Sequence, residues 1–462
     1  MPSSTDGCGR AGLPEVVPEA TERLMTRVVI NAGLFANKGN EAMCLTVQTQ
    51  LAARLPGAEF VLWRPPTEDV SYAREAGFMP ATLTPRSARW ESLPKRQAVA
   101  ELTWAARWLV RNRRPLGLVG LRRAGIRRAL AQQSYLELKL GGFHALVDAR
   151  GYAYGDVWGL HPFGKVKALV DYCRANGRPA VFMPQAWGGF ENDDTARAVR
   201  DMLAGGACRF YSRDSESSRS LESALCLPPG AVESRPDVAF LFDRGTRAQG
   251  ELVLETMGCT MQRPIVAITP NMRVYERSSG RDQDNAYLQA LAGLARHCVE
   301  AHGVDIVLHA NEARPSVGGL DDRLLCGLVA AAVDRPDRCF RTDAVLSAEE
   351  SRSLLGCADL VVGSRYHSFV FALEQGIPCL GISWSHKYGE LFRDLGLGEY
   401  VVEMQNLDTA DLCERFDRAW AAREELSRSI RERVEEYRVV LSGLFDTIAA
   451  DIRAAQTSTT MQ

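Results

Sequence analysis

Short apolar runs rich in Val and Ile alternate along this chain with longer stretches whose apolar residues recur at helical spacing, and the whole alternation occurs twice. From Arg27, RVVINAG reads as a buried strand, LFANKGN as a Gly/Asn turn, EAMCLTVQTQLAARL as a helix and AEFVLW as a second strand, which together make one βαβ unit. Further strands are predicted at HALVD near 144, PAVFMPQ near 179 and RFYSRD near 209. A second series starts with PIVAITP near 264, passes through a helix from Asn285 to Ala301, and returns as VDIVLHA, ADLVVGS and IPCLGIS. Strands separated by helices pack as parallel sheets covered on both faces. The expected fold class is therefore α/β, with two doubly wound Rossmann-like domains facing across a cleft. At 462 residues the chain has the length for two or three domains. The expected boundaries are a disordered tail over 1–26, a first domain over 27–240, a second over 260–408, and C-terminal helices over 409–455 that read as continuous helix and pack back on the first domain.

Charge is balanced overall, with 55 Lys and Arg against 57 Asp and Glu, which argues against a protein built around nucleic acid. The balance breaks locally. Between 82 and 140 thirteen Lys and Arg face three Glu, and Trp104, Arg107, Trp108 and Arg111 fall at helical spacing. This insert in the first domain reads as basic and helical, suited either to solvent and ion pairing or to an anionic membrane surface. No run approaches the ~18 apolar residues of a spanning helix. The N-terminus lacks the apolar stretch of a signal peptide, and the 12 cysteines include no CxxC pair, so the chain reads as cytoplasmic with reduced thiols, peripheral at the inner face of the membrane if the insert docks there.

Polar residues at predicted strand ends mark where ligands bind in open α/β sheets. After the first strand come Asn40 and Glu41 at a helix start, where exposed amides attract anions; an ordinary helix cap would look the same. The richest cluster lies in ADLVVGSRYHSFVFALEQGIPCLGISWSHKY. There Ser364, Arg365, His367 and Ser368 leave one strand, and His386 and Lys387 leave the next. An arginine fork, two histidines, a lysine and free helix amides suit a phosphate-bearing anion. The structural alternative pairs Arg365 and His367 with core acids such as Asp359. Asp148, Tyr152 and Asp156 in VDARGYAYGD, Gln185 in MPQAWGG and Arg213 in YSRDSES follow the same strand-end logic, the first group suiting sugar hydroxyls.

Taken together, NAGLFANKGNEA, MPQAWGG, YSRDSES with PDVAF after it, and GSRYHSFVFALEQGIPCLGISWSHKY resemble the polysaccharide pyruvyl transferases, from about Arg27 to Leu397. The resemblance implies a fold like the two-domain GT-B glycosyltransferases and transfer of pyruvate from phosphoenolpyruvate onto a glycan as a ketal. It places phosphoenolpyruvate on Arg365 and His367, with Arg213 as a second arginine, and the strand-end reading adds Ser364, Ser368 and Lys387 around them. His367 is then the expected general acid, His386 its competitor and Asp148 the base, while Asn40, Glu41, Tyr152, Asp156 and Gln185 face the acceptor. That acceptor is a polymer, a lipid-linked sugar or a small molecule. No metal-ligand spacing or nucleotide fingerprint is evident, so neither metal nor separate cofactor is expected. Two other readings keep the same cleft: a glycosyltransferase using a sugar nucleotide, and a non-catalytic glycan-binding relative.

Overall fold

The computed structural model of the protein describes residues 26–63, 78–81, 142–204, 208–314 and 320–460. The predicted tail and the basic insert at 82–140 lie outside the described residues. Among those described, thirteen strands form two sheets in which every pairing is parallel. The first sheet contains β1 (Arg27–Asn31), β2 (Glu59–Trp63), β3 (Met79–Ala81), β4 (Ala145–Asp148), β5 (Tyr152–Gly155), β6 (Ala180–Gly188) and β7 (Cys208–Ser212). Its order is β3-β2-β1-β4-β6, with β5 and β7 both paired to β6. The second contains β8 (Ile265–Thr269), β9 (Asp305–Leu308), β10 (Cys339–Arg341), β11 (Leu360–Gly363), β12 (Cys379–Ser383) and β13 (Val401–Glu403), in the order β10-β9-β8-β11-β12-β13.

Both sheets therefore run outward in opposite directions from a central pair, β1 beside β4 in one and β8 beside β11 in the other. Strand order reverses at that pair, so the loops leaving its carboxyl ends part and open a crevice. The register puts Asn31 opposite Asp148 at one crevice and Thr269 opposite Gly363 at the other. The strands owe this position to composition. Val28, Val29 and Ile30, like Val266, Ala267 and Ile268, are wholly buried, as strands covered on both faces require.

The C-terminal stretch is two helices, Thr409–Ala421 and Arg423–Thr460, with a break at Ala422 that the apolar periodicity does not announce. The second helix crosses back to the first sheet's domain. Arg54 there bonds Asp446 at 2.7 Å, Arg209 bonds Asp451 at 2.7 Å, and the Phe240 and Tyr437 rings meet edge to face. Backbone also bridges the halves, with the Lys38 amide donating to Asn311 O and the Ala313 amide to Ala36 O. No described helix is long and apolar enough to cross a membrane.

Candidate active site

The carboxyl ends of the two sheets face each other, and the loops after β1, β4 and β7 meet those after β11 and β12. The helix Lys38–Arg54 begins directly after the β1 loop, capped by the Asn37 side chain, which accepts from the Gly39 amide at 3.0 Å. Its second residue is Gly39, where an added Cβ would lie 1.9 Å from His367 Cγ, so only glycine lets this backbone reach the imidazole. Gly151, after β4, makes a similar approach: its Cβ would sit 3.3 Å from Arg213 Nη1 and 3.5 Å from His367 Cε1. His367 itself is the second residue of the helix Tyr366–Leu373, which follows β11.

Asp237 links these groups. Its Oδ2 accepts from Arg213 Nη1 at 2.5 Å and stands 3.5 Å from His367 Nε2. Burial alone would push the Asp237 carboxyl up, but His367 and Arg213 outweigh it and hold the group well below the usual carboxylate range. For His367, burial lowers the imidazole pKa, Asp237 opposes this, and Arg213 and Lys387 add to the lowering, so the ring is neutral at pH 7. Above the pair, the Arg213 guanidinium lies 4.2 Å from the Tyr366 ring centre.

Lys387 is the most perturbed base in the cleft. Its Nζ lies 5.4–5.6 Å from four ring centres, those of Tyr152, Tyr366, Trp384 and Tyr388. Although the residue keeps some exposure, desolvation by this cage, followed by repulsion from Arg213, brings its pKa down to about 7. A cavity of about 200 Å³ opens beside it, lined by Arg213, Asp237, Tyr366, Lys387, Leu391 and Tyr437. Several buried polar atoms around the cleft have no hydrogen-bond partner: Arg213 Nε, His367 Nε2, Ser368 Oγ, and both side-chain atoms of Gln185. Arg365 Nε is likewise without a partner among the described residues, and buried polar atoms are seldom left unpaired without reason. A larger cavity of about 930 Å³ lies at the other end of the second sheet, near Pro264, Asp359 and Pro378, and contains none of these groups.

The family follows from comparison with known sequences. The sequence model of the family described as polysaccharide pyruvyl transferase matches residues 37–386. The chain belongs to the polysaccharide pyruvyl transferase family. It is also 22% identical over 339 residues to the amylovoran biosynthesis protein AmsJ of Erwinia amylovora, covering 72% of this chain and 78% of that one. Among solved structures it is similar to a putative UDP-N-acetylglucosamine 2-epimerase from Listeria monocytogenes, at TM-score 0.53 and 12% identity over 95% of this chain and 97% of that one. It is likewise similar to Arabidopsis thaliana UGT89C1 complexed with quercetin, at TM-score 0.53 and 11% identity over 93% and 99%. These likenesses bear on the fold alone, which is GT-B-like as the resemblance implied.

In this family member, the structure brings together some of the expected residues and separates others. His367, Arg213, Lys387, Tyr152, Ser368 and Gln185 meet in or beside the cleft. Arg365 does not offer a free fork: it is buried, with Nη1 on Glu312 Oε2 at 2.9 Å and Nη2 on Asp322 Oδ1, so the core-acid pairing holds with different acids from Asp359. Asp359 instead accepts from the Ile265 amide at 2.7 Å. Asp148 is corrected as a base. Its carboxylate accepts from Asn31 Nδ2 at 2.6 Å, Arg150 Nη2 at 2.8 Å and Tyr154 OH at 2.7 Å, and this saturation leaves it a buried anchor.

Three acceptor-side expectations are corrected likewise. Asn40 donates to Leu34 O at 3.1 Å, Glu41 accepts from the Ala348 amide at 3.0 Å, and Asp156 accepts from the Glu191 amide at 2.8 Å and from Thr195 Oγ1, so each is committed to holding backbone or a helix start. Ser364 is a structural hub, with Oγ on Tyr287 OH and its carbonyl accepting from Tyr388 OH at 2.9 Å and Asn271 Nδ2 at 2.8 Å. His386 opens the helix His386–Asp394, and its side chain lies outside those described. Sequence reasoning missed Asp237, and it placed Tyr366 in the polar run 364–368 without giving it a role. Asp237 stood in the quoted PDVAF segment, but a lone carboxylate before an apolar run gives no sign of the histidine it will face.

Proposed function

We propose that the protein transfers pyruvate from phosphoenolpyruvate onto two hydroxyls of one sugar, forming a ketal, during synthesis of an exported polysaccharide. Family membership and the name of the relative AmsJ support the product class. The observation that carries the donor is the meeting of Arg213, His367 and Lys387 in one cleft, with Arg213 Nε and His367 Nε2 lacking a hydrogen bond among the described residues and Lys387 caged by rings. Phosphoenolpyruvate bears a phosphate and a carboxylate, which the Lys387 ammonium and the Arg213 guanidinium can pair with while the neutral His367 ring hydrogen-bonds.

The roles divide by charge. Lys387, with a pKa of about 7, pairs with the donor anion as ammonium and gives its proton to the methylene carbon of the enol. A sugar hydroxyl attacks the adjoining carbon, and His367, neutral and backed by Asp237, takes the hydroxyl proton. This exchanges the donor role first expected of His367 for that of acceptor, because a neutral imidazole accepts a proton more readily than it gives one. The phosphate then leaves with the C–O bond pair as a second hydroxyl closes the ketal, and the second hydroxyl proton goes to the phosphate. The proton on His367 then returns to Lys387 through solvent, so atoms and electrons balance without a further cofactor.

The test is a thermal-shift titration with phosphoenolpyruvate, uridine diphosphate and guanosine diphosphate, followed by assay of phosphate release with a glycan acceptor. A mass-action rise with phosphoenolpyruvate alone, reduced in Lys387→Met, is expected. Stabilisation by a nucleotide diphosphate instead would move the reading to glycosyl transfer, and donor binding without phosphate release would leave a glycan-binding relative.

A further inference from the structure

The helix Ala286–His302 carries His297 and, as its last residue, His302. The helix Thr409–Ala421 lies against it and carries Asp417. Both imidazole Nε2 atoms point at one oxygen of that carboxylate, each 2.7 Å from Asp417 Oδ1. The three ligand-type atoms all lie within 4.8 Å of one another, and the side chains are 20–45% exposed, so solvent ions reach them. More than a hundred residues separate the histidines from Asp417, which is why no sequence spacing revealed the cluster.

We propose that His297, His302 and Asp417 form a binding site for a divalent transition metal of the zinc class that staples these two helices together. Two imidazoles and a carboxylate are a ligand set of that class, with open positions left for water. The geometry needs little change. Ligand bonds of ~2.0–2.2 Å in a tetrahedral site separate the donor atoms by ~3.3 Å, so each nitrogen must retreat about 0.6 Å from Oδ1. These part-exposed side chains have that freedom, and His302 stands at a helix end. The Phe416 and Trp420 rings flank His302, with centroids 5.4 and 5.8 Å from its own, and wall one side of the site with apolar surface.

The consequence of loading is mechanical. The helix bearing Asp417 leads directly into Arg423–Thr460, whose far end bonds the first domain through Asp446 and Asp451. A metal at Asp417 fixes the root of that arm to the second domain, and with it the arm that spans the cleft's two halves. The inference is independent of the pyruvyl-transfer reading, since no group of the cleft takes part.

The test uses full-length, tag-free protein stripped with chelator. Zinc is titrated by calorimetry and cobalt by absorption, in wild type, Asp417→Asn and the His297→Gln/His302→Gln double variant. Asp417→Asn keeps a hydrogen-bond acceptor for the histidines and so preserves the packing while losing the anionic ligand. The expected result is one equivalent of zinc in wild type, with affinity at least about tenfold weaker in Asp417→Asn and weaker still in the double variant. Cobalt should give visible bands without a sulfur-to-cobalt charge-transfer band. Absence of a saturable single equivalent in wild type, equal binding in the variants, or a sulfur band would each overturn the proposal, the last by moving the metal to cysteine.

Discussion

Because its four-ring cage brings Lys387 to a pKa of about 7, phosphoenolpyruvate binding should weaken as pH rises from 7 to 9. Two limits set the size. Relative to pH 7, where half the lysine is ammonium, titration alone allows about a fivefold loss at pH 8 and about 50-fold at pH 9, since well above the pKa each pH unit removes a factor of ten of the ammonium form. The contact itself is worth ~1.5–3 kcal/mol as a hydrogen bond to a charged group, or roughly 10- to 150-fold, so the loss levels off in that range. Other cleft groups stay silent in this window: His367 is already neutral and the Tyr366 hydroxyl is raised by burial, with Arg213 opposing. Calorimetric dissociation constants at half-unit steps would show a slope approaching one in wild type and none in Lys387→Arg, which keeps its charge. A flat profile in wild type, or the same slope in Lys387→Arg, would refute the assignment of Lys387 to the donor. A second readout needs no ligand. A lysine whose folded pKa is depressed binds fewer protons folded than unfolded between about 7 and ~10.4, so stability should rise with pH there, less so in Lys387→Met.

Gly39→Ala puts a Cβ 1.9 Å from His367 Cγ, which must displace the ring from Asp237; kcat should fall ~100-fold while the circular dichroism spectrum stays native, and a fully active variant would contradict the close approach. Arg365→Met leaves Glu312 and Asp322 buried without their cation, so denaturant unfolding should show a loss of ~3–5 kcal/mol; a wild-type midpoint would return Arg365 to the ligand. Gln185 is fully buried with neither amide atom partnered among the described residues, so Gln185→Leu should unfold later than wild type, by ~1–3 kcal/mol, yet raise the acceptor KM; lower stability would mean that the amide has a structural partner after all.

What the sequence revealed and what it hid divide along a physical line. Buried Val and Ile runs such as those of β1 and β8 are legible because a strand covered on both faces can be little else. Short strands such as β3, β10 and β13 are three residues each, too short to carry a period. For the site, strand-end logic located Arg213, His367 and Lys387 at the cleft, since loops leaving neighbouring parallel strands emerge on one edge. It did not foresee that Arg365, Asp148 and Glu41 would be paired, because the same logic says nothing about partners. Glu312 and Asp322 come from the loop after β9 and the helix beyond it, and the Ala348 amide from a helix 307 residues from Glu41. Whether a buried charge is free for ligand or spent on a neighbour depends on such distant contacts, which one sequence does not display.

The site's electrostatics belong to neither domain alone. Tyr152, one wall of the Lys387 cage, follows β4 in the first domain, whereas Tyr366, Trp384 and Tyr388 follow β11 and β12 in the second. Arg213 and Gly39 likewise reach Tyr366 and His367 from the first domain. Separating the halves would return Lys387 to water and toward an ordinary lysine pKa, and would remove Arg213 from His367. The depressed Lys387 and the neutral His367 thus exist together only when the cleft is assembled, so the helix Arg423–Thr460, by bonding the first domain from the second, helps hold the two groups in place from well outside the cleft.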